Sequence, residues 1–125
     1  MHRTIAALPV AGAVGAAARY ALSGAVQQWT GSRFPTGTLA VNVLGCFLAG
    51  LLWTLVQSRL RWPAELRTAV LIGFLGSFTT FSSYMLETGL LLRQSRWLMA
   101  AGNLALQNLA GFAALYGGLV LGRMI

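Results

Sequence analysis

Four apolar stretches, each long enough to cross a bilayer, alternate with short polar connections along the chain. A helical span needs about 20 mostly apolar residues. The predicted spans are residues 4–26, 38–56, 64–92 and 97–121. The connections leave no room for a soluble domain, so residues 1–125 are predicted to form a single four-helix transmembrane domain. Interfacial tryptophans are expected at the span junctions, where Trp29, Trp62 and Trp97 lie.

The N-terminus also has features of a secretory signal peptide: Arg3, an apolar core and then small residues. Cleavage there would leave three spans and remove Arg19. We favour a first membrane span, because the apolar stretch continues past the small residues and contains an intramembrane arginine.

The densest polar run, SFTTFSSYMLE at residues 77–87, lies inside the third apolar stretch. It has five hydroxyl side chains within seven residues, followed by Glu87, and Gly73 and Gly76 precede it. Single Ser and Thr side chains in membrane helices commonly donate a hydrogen bond to a carbonyl one turn earlier. Five hydroxyls in seven residues are more than this role requires. The run predicts a third helix broken mid-membrane, where freed carbonyls need protein, a cavity or an ion. Such carbonyls suit a hard cation such as Na⁺.

Two aromatic residues, Phe81 and Tyr84, alternate with these hydroxyls and lie three positions apart, on one helix face. The edge of an aromatic ring is electropositive. Ring edges and hydroxyl donors together can meet a small anion weakly enough to release it, as conduction requires. The residues alone leave two interpretations open: a small-ion pathway, or aromatic packing between helices.

Other polar residues within or near the spans are Arg19, Asn42, Glu87, Asn103, Gln107 and Asn108. A charge at mid-bilayer costs about 2.5–3.5 kcal/mol on insertion scales, so each such residue needs a partner or water. Arg19 fits an arginine that snorkels or is paired near the interface. Asn42 fits an interhelical hydrogen bond, and Glu87 could reach the headgroups.

Composition supports a membrane protein, since 57% of the residues are hydrophobic and only 9% are charged. A soluble domain would carry about a quarter charged residues. One histidine, one cysteine (Cys46) and two glutamates form no transition-metal site and no nucleophilic triad. The chain has no lysine and therefore no P-loop. We expect no enzyme.

The net charge of +7 comes from arginines that lie singly or in pairs between spans, which favours lipid headgroups over nucleic acid. One membrane side would carry Arg3, Arg59, Arg61, Arg67 and Arg123, and the other Arg33, Arg93 and Arg96. This bias is weak. It leaves open either a modest orientation preference or insertion in both orientations, and the latter favours an antiparallel dimer.

The small-residue positions Gly12 and Gly15, and Gly118 and Gly122, predict close helix contacts, with a solute path between subunits.

The run GFLGSFTTFSSYMLE at residues 73–87 closely resembles the motif of the CrcB/Fluc family of fluoride channels. GAVGAAARY at 12–20 and GTLAVNVLGCFLAG at 37–50 resemble the family's first- and second-helix motifs, in the right order. The resemblance implies an all-α protein of a bacterial-type inner membrane that passively exports fluoride. HF crosses membranes as a neutral molecule and ionises inside, so an anion leak relieves fluoride toxicity.

The resemblance also implies an antiparallel, dual-topology homodimer in the lipid bilayer, with two pores and a central structural Na⁺. Carbonyls of Gly76 and Thr79 would bind that ion. The fluoride pore would include Asn42, Phe81, Ser82, Ser83, Tyr84, Glu87 and Gln107, and Arg19 would lie near the vestibule.

Two departures from the family pattern stand out. The second pore aromatic is normally Phe and here is Tyr84, whose hydroxyl would add a donor, so conduction should be retained but altered. The fourth helix has Asn103 and Gln107 where the family usually has a Tyr and then a Ser. The polar track should survive with different geometry, and a heteromeric pair is an alternative to the homodimer.

Two other functions compete with a fluoride channel. A small multidrug-type four-helix exporter would place its essential carboxylate in the first helix, which here has Arg19 and no acid. A non-conducting membrane structural subunit would explain the small residues but not TTFSSY beside a broken helix.

Overall fold

Four membrane-length helical stretches form the whole structure, a computed structural model that describes all 125 residues. The helices are α1 (His2–Thr30), α2 (Thr36–Ser58), α3 (Ala64–Thr68), α4 (Leu75–Phe78), α5 (Phe81–Arg93) and α6 (Trp97–Met124), and a π-helix, π1 (Ala69–Phe74), joins α3 to α4. The segments from Ala64 to Arg93 together make the third span. The four predicted spans are confirmed, and the helices extend a few residues beyond them because helix ends continue past the apolar core.

The third span is interrupted at Thr79 and Thr80, as predicted. Thr79 has φ −89° and ψ 157°, and Thr80 has φ −149° and ψ 121°, both extended conformations. Helix α5 then restarts with a side-chain cap, because the Ser83 N–H donates to Thr80 Oγ1 at 3.2 Å. Threonine is a preferred N-cap, which explains why the helix resumes at once.

The π-helix before the interruption was not predicted. In π1 the backbone bonds widen to i→i+5, a geometry frequent near functional sites. Its sequence, AVLIGF, has the composition of any apolar helix. The segment packs closely on α1: an added Cβ on Gly73 would lie 2.9 Å from the Ala11 Cβ.

Glycines set the distances between the helices. A Cβ on Gly15 of α1 would collide with the Phe74 carbonyl, and one on Gly12 would lie 3.2 Å from the Ser77 hydroxyl. Between α2 and α6, a Cβ on Gly118 would collide with the Phe47 carbonyl, and one on Gly50 with the Leu115 carbonyl. A Cβ on Gly122 of α6 would lie 2.7 Å from the Thr54 Cβ of α2, so the prediction that Gly12, Gly15, Gly118 and Gly122 mark helix contacts is confirmed.

The neighbouring glycines Gly117 and Gly118 provide a matched test of this packing. Gly118→Ala should lower the free energy of unfolding by about 1–3 kcal/mol, because its methyl meets the Phe47 backbone. Gly117→Ala meets nothing within 4 Å and should be neutral or slightly stabilising. The measurement is the fraction of detergent-solubilised protein that stays monodisperse after heating. Equal melting of the two variants would contradict the assigned contact.

Candidate functional site

The interruption frees backbone groups that a continuous helix would pair, and side chains from two other helices bind some of them. Arg19 Nε of α1 donates to the Ser77 carbonyl at 3.0 Å. Asn42 of α2 makes two bonds to Thr80: its Nδ2 donates to the carbonyl at 3.1 Å, and its Oδ1 accepts from the N–H at 2.9 Å. The Asn42 amide therefore pairs with Thr80 as a neighbouring backbone would.

This pairing fixes the orientation of a second amide. The Thr80 N–H can only donate, so Asn42 must present Oδ1 to it and keep Nδ2 as the donor. Asn42 Nδ2 also donates to Gln107 Oε1 of α6 at 3.1 Å. Gln107 must then present its oxygen to Asn42, which leaves Nε2 as a donor. That nitrogen is buried and has no hydrogen-bond partner, so the site contains a buried group that can only donate.

Among the carbonyls at the interruption, those of Gly76 and Thr79 receive no hydrogen bond. In a continuous helix, the Thr80 N–H would donate to the Gly76 carbonyl and the Ser83 N–H to the Thr79 carbonyl. Here the Thr80 N–H donates to Asn42 Oδ1 and the Ser83 N–H donates to Thr80 Oγ1. An added Cβ on Gly76 would meet nothing within 4 Å, so this backbone is open to its surroundings. Carbonyl oxygens of this kind suit a hard cation.

Phe81 and Tyr84 form an edge-to-face pair, with ring centroids 5.7 Å apart and an interplanar angle of 87°. Phe81 is 72% exposed, whereas Tyr84 is only 5% exposed. The Tyr84 hydroxyl donates to the Leu104 carbonyl at 3.3 Å and accepts from Asn108 Nδ2 at 2.9 Å. The hydroxyl therefore lies against α6 and is engaged on both its donor and acceptor sides.

Glu87 lies within hydrogen-bond reach of α2. Thr38 Oγ1 donates to Glu87 Oε1 at 2.7 Å, while Oε2 is buried without a partner. One turn of α6 before Gln107, Asn103 Nδ2 donates to Thr88 Oγ1 at 2.8 Å. Arg19 is paired with a carbonyl, and not with Glu87.

Two cavities meet at the interruption. The first, of about 930 Å³, extends to Gln57 and Arg67 near the α2–α3 connection. The second, of about 600 Å³, extends to Gln27 and Gln28 near the α1–α2 connection. Successive connections between membrane spans lie on opposite sides of the bundle, and Thr80 lines both cavities. The cavities therefore approach the break from opposite sides.

The predicted site residues divide between these cavities. The first is lined by Asn42, Gly76, Thr79, Phe81, Tyr84 and Gln107. The second is lined by Arg19, Ser83 and Glu87. Ser82 lines neither cavity and lies exposed, with its Oγ 3.2 Å from Thr80 Oγ1.

Sequence reasoning did not single out Thr38, Thr80 or the Asn108–Tyr84 contact. Thr80 was part of the hydroxyl run, and a threonine directly before the start of a helix is typical of an N-cap. Thr38 lies four residues before Asn42, on the same face of α2, which was the available signal. Asn108 was only one of several polar residues in the fourth span, and nothing local indicated its partner.

An all-helical membrane bundle with an interrupted span and two opposed cavities at the interruption is the architecture of a small-solute channel or transporter. Beside the break, the lining includes amides, carbonyls, hydroxyls and aromatic rings among apolar side chains. The chain belongs to the CrcB-like family: residues 6–119 match the family model described as "CrcB-like protein, Camphor Resistance (CrcB)". The sequence-based resemblance is thereby confirmed.

Curated relatives match over all or nearly all of the chain. A protein of Desulforapulum autotrophicum is 54% identical over 125 residues, covering 100% of both chains. One of Solidesulfovibrio magneticus is 49% identical over 118 residues, covering 94% of both chains. One of Nitrosococcus oceani is 46% identical over 125 residues, covering 100% of both chains. Each of these relatives is named "Fluoride-specific ion channel FluC".

These matches confirm two further expectations. The relatives carry the name of a channel, which agrees with the expectation that the chain is not an enzyme. They come from bacteria and share the full length of a chain with four spans, which makes this a multi-pass protein of a bacterial inner membrane.

The Asn42 amide can be tested through stability. Asn42→Ala should lower the free energy of unfolding by about 1–3 kcal/mol for each buried group left unpaired, because the Thr80 N–H and carbonyl lose their partner. Asn108→Ala is the control, since that amide is exposed, and its loss should cost less. Thermal unfolding in detergent is the measurement. Asn42→Ala melting no earlier than Asn108→Ala would show that the amide does not support the break.

Proposed function

We propose that this protein is a passive, fluoride-selective channel that exports F⁻ from the cytoplasm and so relieves fluoride toxicity. The observation that carries the proposal is the first cavity beside the break, where the buried Gln107 Nε2 donor and the Phe81–Tyr84 pair lie together. An amide donor and electropositive ring edges favour a small anion without a fixed charge that would hold it tightly. The names of the relatives give the choice of fluoride.

In this channel, four residues of the first cavity have distinct roles. Phe81 and Tyr84 offer ring edges, and Gln107 offers an N–H at an atom that cannot accept. Asn42 holds the break open and fixes the Gln107 amide, as its bonds to Thr80 and Gln107 support. Such weak contacts let the ion leave as readily as it enters.

The second cavity forms the vestibule. Arg19 is its cationic group and attracts anions towards the break, while its Nε stays on the Ser77 carbonyl. Ser83 and Glu87 continue the polar track on α5. The Thr38 hydroxyl holds Glu87 Oε1 at 2.7 Å, which keeps that carboxyl oxygen against α2. Ser82, on the exposed side of the same turn, belongs to the track through its contact with Thr80.

The working unit is an antiparallel, dual-topology homodimer with two pores. Phe81 is largely exposed on one protomer and Gly76 is open, so the first cavity is a groove that a second copy would close. The nearly balanced arginines on the two membrane sides permit insertion in both orientations.

A central structural Na⁺ fits the same arrangement. The Gly76 and Thr79 carbonyls would hold it, since neither receives a hydrogen bond and oxygen ligands suit a hard cation. When bound, the ion supplies positive charge that stabilises the freed carbonyls of both copies. Gly76 leaves room for the approach of a second backbone.

Fluoride flux from purified protein in liposomes tests the proposal. An ion-selective electrode should record rapid F⁻ efflux and little Cl⁻ efflux, because the amide and ring-edge donors beside the break are few, small and uncharged. Folded, reconstituted protein that carries no fluoride would contradict the channel assignment and favour the non-conducting membrane subunit.

A second test concerns Phe81. Phe81→Ile should abolish fluoride flux while leaving the oligomer folded, because isoleucine has no electropositive ring edge. Phe112→Ile is a matched control, since Phe112 is 71% exposed and Phe81 is 72% exposed. Flux and size-exclusion profiles are compared for both variants. An undiminished flux in Phe81→Ile would reject the assigned role of the ring.

A further inference from the structure

Tyr84 brings a hydroxyl into a cavity whose other aromatic, Phe81, has none. A free phenol is a strong hydrogen-bond donor and acceptor, and beside an ion path it would bind the ion or water. The structure directs this hydroxyl elsewhere. Its proton lies towards the Leu104 carbonyl at 3.3 Å, and its oxygen receives Asn108 Nδ2 at 2.9 Å.

Asn108 is placed to make this contact from one turn along α6. Its Nδ2 also donates to the Leu104 carbonyl at 2.8 Å. The amide group, the carbonyl and the phenol therefore form a closed triangle of hydrogen bonds at one position on the helix. An amide nitrogen carries two hydrogens, and each has one acceptor in this triangle.

Asn108 is not needed to satisfy a buried group of its own. It is exposed, and it lines the same cavity as Tyr84, Phe81 and Gln107. The α6 backbone is continuous through this region, so helix formation does not depend on the side chain. Its only hydrogen bond to another helix is the one that it donates to the Tyr84 hydroxyl of α5.

We infer that Asn108 is a positioning residue for conduction, which anchors the Tyr84 hydroxyl to α6 so that only the ring of Tyr84 faces the ion path. The inference rests on the proposed fluoride channel. Without Asn108 the phenol keeps a single, long bond to Leu104. The hydroxyl then turns into the cavity, where it binds the ion too firmly, and the ring leaves its edge-to-face position on Phe81.

Four proteins test this inference: the wild type, Asn108→Ala, Tyr84→Phe and the double variant. Fluoride efflux from liposomes should be about tenfold slower in Asn108→Ala than in the wild type, within the range of coupling between contacting residues. Tyr84→Phe supplies the reference rate for a chain that has no hydroxyl to anchor. The double variant should recover to the rate of Tyr84→Phe, because no hydroxyl remains to be anchored. Asn108→Leu, alone and with Tyr84→Phe, repeats the comparison with a larger apolar side chain.

A loss of flux in Asn108→Ala that persists in the Tyr84→Phe background would overturn the inference, since Asn108 would then act independently of the hydroxyl. An unchanged flux in Asn108→Ala and Asn108→Leu would overturn it as well. Thermal unfolding of all the variants separates conduction from stability. A wild type that carries no fluoride would refute the proposed function and this inference together, whereas a conducting wild type with uncoupled variants would refute the inference alone.

Discussion

The hydrogen-bonded pairing of the Asn42 amide with the Thr80 backbone is the interaction on which the rest of the site depends. Hydrocarbon offers no partner to an unpaired backbone group, so a helix interrupted in the membrane survives only where protein or a lined cavity replaces the missing bonds. Asn42 supplies both a donor and an acceptor, at 3.1 and 2.9 Å. It thereby stabilises the extended residue at the centre of the third span and, through Gln107, sets which atom of a second amide faces the cavity.

The two cavities differ in chemistry because different helices supply their polar groups. The cavity between α2, α5 and α6 has amides and aromatic rings at the break, which suit the weak anion binding of the proposed channel. The cavity beside α1 has the ionisable side chains of Arg19 and Glu87. Thr80 belongs to both, and its backbone is also the group that Asn42 holds. The same residue that interrupts the helix therefore joins the two halves of the proposed path.

Much of this arrangement could be predicted from the sequence. Apolar length located the spans, and the hydroxyl run after Gly73 and Gly76 located the interruption, because both signals are local. The partners could not be predicted: Arg19 binds the Ser77 carbonyl, Thr38 binds Glu87 and Asn108 binds Tyr84, each across at least 20 positions of sequence. The π-helix could not be predicted either, since its residues would suit an α-helix equally well. The shared motif indicated which positions matter, and the geometry indicates how their hydrogen bonds are distributed.

Backbone chemical shifts of Thr79 and Thr80, measured by NMR on isotope-labelled protein in lipid nanodiscs, test the central claim most directly. An interruption held by Asn42 predicts extended-type shifts at these two residues between helical neighbours, and a Thr80 amide that is protected from hydrogen exchange. In Asn42→Ala that protection should be lost. Helical shifts at Thr79 and Thr80, or a Thr80 amide equally protected without Asn42, would contradict the account.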